Sequence, residues 1–193
     1  MPRSLAPGAA TPLSPALRYD EIATMDAWEN FVSGHTRAAD CAPCVRSLIE
    51  SSWRRSRERG VDAGGTAAPI NDDREALQQM ARKNAELLAA ARPSFASLSP
   101  LLEGTGAMLV LADADGVMID ALGDKSTLHA GADIHLAVGG RWGECAVGTN
   151  GIGTALAAGE PVFVHAAEHF CSGIKRWTCA GAPIRDPLDG KIV

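Results

Sequence analysis

Apolar residues recur at helical spacing twice in the first half of the chain. Val45, Leu48, Ile49 and Trp53 fall on one face. Arg46, Arg54, Arg55, Arg57 and Arg59 take the others, and Gly60 stands where a C-terminal cap is wanted. This predicts a basic amphipathic helix, read either as a solvated face or as a docking surface for an acidic partner. After the connector "DAGGTAAPI", Asn71 and two aspartates suit the N-terminus of a second helical stretch. Its apolar stripe runs from Leu77 and Met80 through Leu87, Leu88, Ala91 and Phe95 to Leu98 and Leu102. Pro93 is expected to kink that helix or to start another, because an interior proline loses a backbone hydrogen bond and crowds the preceding turn. A stripe this long predicts a dimer seam or burial against the chain's own sheet.

From Gly106 the period changes. "AMLVLADADGVMIDALGD" is two apolar runs around Asp113-Ala114-Asp115-Gly116, a hairpin pattern with its turn at the glycine. "EPVFVHA" reads as a third strand and "CAGAPIRDPLDGKIV" as a fourth that turns at Asp186-Pro187 and Asp189-Gly190. Lys191-Ile192-Val193 reads as the opening of a fifth, so the chain is expected to be the front of a longer protein. One helix is inserted in "RWGECAVGTNGIGTALAAGEPV", capped by Thr149 or Asn150 and closed by Gly159 before Pro161. Helices first, then an antiparallel sheet with one helical excursion, is the order of an α+β fold. The expected division is a Pro/Ala-rich tail over 1–40, a helical region over 41–104 and a sheet-bearing domain over 105–193. Pro2, Pro7, Pro12 and Pro15 leave the tail too little apolar surface to offset chain entropy, with no more than a short helical turn near "YDEIATMDAWENFV".

Composition narrows the partners. With a formal net charge of -5 over 193 residues, the chain lacks the positive field that phosphate backbones demand, so direct nucleic-acid binding is not expected. Its longest apolar run, "GAMLVLA", is of strand length, well short of the roughly 18 residues a membrane span needs. The proline-studded N-terminus has no apolar core of a secretory signal, which points to a cytoplasmic location. Five cysteines in a reducing compartment are thiols or metal ligands before they are disulfides.

Chemistry is most suggestive at "HAAEHFC". His165, Glu168 and His169 spell the H-x-x-E-H of one class of zinc peptidases. That chemistry needs both histidines on one helix, whereas Pro161-Val162-Phe163-Val164 should make His165 the end of a strand. Cys41 and Cys44 have the spacing of half a zinc knuckle, but Cys171 and Cys179 are eight apart, so a zinc or redox sensor stays open as an alternative. Gly151-Ile152-Gly153 lacks the third glycine and the preceding strand of a dinucleotide fingerprint. No catalytic constellation, resident metal or cofactor emerges. Trp142 and Trp177 instead flank a set of polar residues, Glu144, Thr149, Asn150, His165, Glu168 and His169. An apolar wall with a few convergent polar groups is how small-molecule pockets are built.

These residues also carry a resemblance. "RWGECAVGTNGIGTALAAGEPVFVHAAEHFCSGIKRWTCAGAPIRDPLDGKIV", with "IESSWRRSRERGVDA" and "LLEGTGAMLVLADADGVMIDALGD" ahead of it, resembles the sensory GAF region of bacterial sigma-54-dependent activators of the acetoin-catabolism regulator type. It departs from that pattern at Gly151, usually alanine, and in having "DCAPC". The resemblance implies a GAF-like antiparallel sheet with flanking helices and no enzymatic activity. It implies a small polar effector of ketone, alcohol or diol type, held by the tryptophan-flanked residues. It further implies an AAA+ and helix-turn-helix output, reaching DNA and polymerase, in domains beyond this chain, while the apolar stripe from Leu77 to Leu102 predicts a homodimer through the N-terminal helices. A protein-interaction module read by a metabolic enzyme is the other expectation.

Overall fold

The structure, a computed structural model, describes residues 20–35 and 45–193. Cys41, Cys44 and the proline-rich residues 1–19 lie outside them. The chain opens with α1 (Glu21–Ser33), a full helix where the composition suggested no more than a turn. Asp20 caps it by accepting from Ala23 N at 3.0 Å, and Gly34, at φ 73°, closes it. Ala27 and Phe31 are buried, and the Phe31 ring lies 5.7 Å from that of Trp53. Tertiary burial therefore holds a full α1 where local composition predicted no more than a short turn.

The basic helix follows as α2 (Ser47–Glu58), burying Ile49, Ser52, Trp53 and Ser56. The long stripe divides into α3 (Arg74–Lys83) and α4 (Ala85–Leu102). The break falls at Asn84, whose amide donates to Met80 O, and not at Pro93, which α4 carries in its interior together with Pro100. Neither helix has a fully buried residue. Leu77, Leu87, Leu88 and Phe95 are half-buried, α4 packs on the first hairpin, and Leu98 and Leu101 face outward.

That hairpin is β1 (Met108–Ala112) with β2 (Met118–Gly123), antiparallel, pairing Val110 with Ala121. Its turn is the anticipated one: Gly116 N donates to Asp113 O, and Gly116 sits at φ 76°. Next come α5 (Lys125–Ala132), the short α6 (Glu144–Val147) and the inserted helix α7 (Gly151–Ala158). Asn150 caps α7, its Oδ1 accepting from Ile152 N and Gly153 N, both at 2.9 Å, and Gly159 ends it at φ 70°. The second hairpin pairs β3 (Val162–Val164) with β4 (Cys179–Gly181).

The sheet differs from a continuous one. Among the described residues it consists of these two separate hairpins. The facing edges of β1 and β4 border an apolar groove of about 480 Å3, floored by Ile152, Ala155 and Leu156 of α7. A turn over 185–192, bridged between Arg185 and Ile192, leaves Val193 N donating to Ile184 O beside that groove. The core is continuous from α1 and α2 through Met118, Trp142 and Val147 to Val164, Phe170 and Ile174.

Candidate ligand-binding site

Residues 165–177, between β3 and β4, form an irregular strap on one side of a cavity of about 170 Å3. Met108 and Val110 of β1, Ile134, Leu136, Ile152 and Ile174 give it apolar walls. Four of the residues singled out from the sequence line it: Trp142, Asn150, His169 and Trp177. The strap's tip explains why His165 and His169 do not act together. His165 ends β3 and caps a 3-10 turn over Ala166–Glu168, stacking edge-on against Phe163, while His169 follows the turn and points inward.

Among the described residues, Trp142, Asn150, His169, Trp177 and Thr178 bring side-chain N or O atoms to the cavity lining. Trp142 Nε1 is already committed to His135 O at 3.0 Å. Asn150 spends its carbonyl on the α7 cap and its amide on Trp142 O and Gly148 O. His169, 1% exposed, donates from Nδ1 to Ala166 O at 3.0 Å, because a carbonyl can only accept. Burial pushes its pKa down to about 4, so near pH 7 the ring is neutral and Nε2 is a lone-pair acceptor. Among the described residues, Nε2 of His169 and Nε1–H of Trp177 are buried with no hydrogen-bond partner. Among the described residues no Asp, Glu, Lys or Arg lines the cavity. The arrangement thus holds one unpartnered acceptor and one unpartnered donor among largely apolar neighbours, at a cost of about 1–3 kcal/mol for each group left unsatisfied.

The other four residues of the sequence set sit behind the cavity. Glu144, 4% exposed, meets Arg55 through two hydrogen bonds of 2.6 and 2.8 Å and also takes Ser52 Oγ, which contacts Thr149 Oγ1 at 2.6 Å. The Glu144 hydrogen bond raises the pKa of Arg55. Glu168, 3% exposed, meets Arg46 at 2.8 and 2.6 Å and caps the turn by accepting from His165 N. The acidic partners of Arg46, Arg55 and Arg59 are therefore the chain's own buried carboxylates. Gly153 serves close packing: a Cβ there would strike the backbone of Trp142 to Glu144. The apolar wall from Met108, Val110, Ile134 and Leu136 was not singled out from the sequence, since alternation in a strand marks burial and not what the buried face surrounds.

Among the described residues no group of three or more His, Cys, Asp or Glu is placed to hold a metal ion. Burial pushes the thiols of Cys171 and Cys179 up to about 11, which keeps both protonated and unreactive near neutrality. No helix of the described residues is long and apolar enough to cross a membrane.

Residues 22–193 match the family model for the MimR N-terminal domain. The chain belongs to that family. It is 34% identical over 148 residues to the acetoin dehydrogenase operon transcriptional activator AcoR of Bacillus subtilis (strain 168), covering 77% of this chain and 24% of that protein. It is 33% identical over 150 residues to the propane 2-monooxygenase operon transcriptional activator MimR of Mycolicibacterium smegmatis, covering 77% and 24%. The chain thus spans about a quarter of the length of these activators. A chain of the crystal structure of the E. coli DhaR(N)-DhaL complex superposes with a TM-score of 0.70 at 18% identity, over 76% of this chain and 49% of that one, a likeness of α+β fold. The expected kinship with acetoin-type activator N-terminal regions is therefore shown, and the family is one of regulators, not enzymes.

Proposed function

We propose that this chain is the signal-sensing region of a transcriptional activator and that its signal is a small uncharged metabolite of ketone, alcohol or diol type. The observation that carries this reading is the cavity between Trp142 and Trp177 with its two unpartnered atoms, His169 Nε2 and Trp177 Nε1. A hydroxyl can donate to the first and a carbonyl or hydroxyl oxygen can accept from the second, while a carboxylate would lose its hydration without gaining a cation. For the domain to act as a switch, the ligand must bind one conformation better than another and pass that preference to an output domain. The kinship with operon activators supports such an output, of the AAA+ and helix-turn-helix kind acting with sigma-54 polymerase.

Two finer features belong to the same reading. The groove between β1 and β4 supports Lys191-Ile192-Val193 as the start of a fifth strand of a GAF-like sheet, since Val193 already pairs with Ile184. The exposed Leu98 and Leu101 on α4 favour a homodimer through the N-terminal helices. Light scattering at high concentration is expected to give twice the monomer mass, and a clean monomer would remove the dimer. A second reading, a module bound by a metabolic enzyme, is favoured by the neighbour having been solved as the DhaR(N)-DhaL complex. Titration calorimetry with propanone, 2-propanol, acetoin and 1,2-propanediol separates the two. Saturable heat from at least one supports the sensor, and none from any of them, on folded protein, favours the interaction module.

A further inference from the structure

The strap that presents His169 has little regular secondary structure, and its carbonyls are held by long side chains. Lys175 Nζ donates to Ala167 O at 2.7 Å and to His169 O at 2.6 Å. Trp53 Nε1, from α2, donates to Glu168 O at 2.7 Å, and Trp28 Nε1, from α1, to Phe170 O at 2.9 Å. Four successive carbonyls, 167 to 170, are therefore pinned by Lys175 and by the two N-terminal helices. Arg46 adds a fork to the Glu168 carboxylate and also donates to Phe163 O, tying the strap to the end of β3. Lys175 is itself fixed, its Nζ lying 3.9 Å from the centroid of the Trp28 ring.

We infer that Arg46, Trp53 and Lys175 are positioning residues for the His169 imidazole, so that seating α2 on the strap and recognising a ligand at His169 are one equilibrium. This rests on the proposed role of the cavity. The imidazole turns on only two side-chain torsions beyond a backbone whose carbonyls at 168 and 169 are anchored by Trp53 of α2 and by Lys175, so loosening these anchors moves Nε2. Linkage makes the effect reciprocal: whatever factor α2 docking contributes to ligand affinity, the ligand contributes to α2 docking. The arginine helix then belongs to the sensor and is the path by which occupancy leaves the cavity.

The experiment needs a readout that does not depend on the ligand. NMR titration of the His169 ring in the whole 193-residue chain reports how tightly the strap is packed, because hydration of a buried imidazole lets its pKa rise toward the free value. Arg46→Met is expected to raise the His169 midpoint by about one unit or more, Arg46→Lys to recover part of that rise, and Arg54→Met, whose partner is the surface residue Glu50, to leave it unchanged. Should Arg46→Met fail to fold, Trp53→Phe removes the donor to Glu168 O while keeping most of the ring, and the same rise is expected. A folded variant with an unmoved midpoint overturns the inference. The second arm is calorimetry with acetoin, where Arg46→Met is expected to weaken binding about tenfold. Equal affinity in wild type and variant also overturns it. A shifted midpoint with no acetoin binding, even to wild type, would uphold the positioning role and count against the proposed ligand class.

Discussion

On the proposed reading recognition turns on His169, and its protonation can be followed without a ligand. Its pKa is lowered by burial from 6.5 to about 4 in the folded chain. Between those values the unfolded state binds the extra proton and the folded state does not, so stability rises with pH across this window and is lost as pH falls through it. The full difference corresponds to about 3 kcal/mol, and denaturant titrations at pH 7 and pH 4.5 are expected to differ by much of that. In His169→Gln the part of the slope due to this group should vanish. Trp177→Phe is expected to leave the melting temperature within a few degrees while weakening a carbonyl ligand about tenfold, since it deletes one donor and keeps the ring. Sequence made the His165/His169 pair conspicuous and correctly separated it at the end of β3. Which ring nitrogen stays free was not legible, because that depends on Ala166 O, a backbone atom placed by the turn.

At the scale of elements, the helices were legible where their signals are local. Asn150 and Gly159 bound α7 through side-chain capping and a positive φ, features spelled by single residues. The helix α1 was not, because its stability comes from residues far along the chain: Phe31 packs on Trp53, Trp28 bonds Phe170 O, and Arg57 lies 4.2 Å from the centroid of the Phe31 ring. The division of the long stripe at Asn84 likewise escaped a reading centred on proline. Asn84 bonds the Met80 carbonyl and ends the first helix, while Pro93 and Pro100 are accommodated within an exposed helix. Phe31→Ala is expected to cost about 3–5 kcal/mol, as for other buried aromatics, measurable as a lower midpoint in urea. A change below about 1 kcal/mol would mean that α1 is an appendage and not part of the core.

For the molecule as a whole, α2 stands between two buried carboxylates that belong to two different walls of the cavity. Glu144 anchors the stretch bearing Trp142 and Asn150, and Glu168 anchors the strap bearing His169. The order of periodic elements was enough to classify the fold as α+β, but neither it nor composition could say that Arg46 and Arg55 reach buried carboxylates, since charge runs of this kind usually face solvent. Isolated surface ion pairs contribute little, whereas removing one partner of a buried pair leaves an uncompensated charge. The arginine helix is therefore part of the core in energetic terms.

On the proposed reading, the cavity recognises an uncharged ligand through His169 Nε2 and Trp177 Nε1. Its most direct test is 15N NMR of the ring nitrogens during titration with the four small molecules used for calorimetry, up to saturation. The expected result is that at least one of them moves the His169 Nε2 and Trp177 Nε1 signals together while Trp142 Nε1, already bonded to His135 O, stays in place. Saturating heat with neither signal moving, or no response to any of the four, would contradict it.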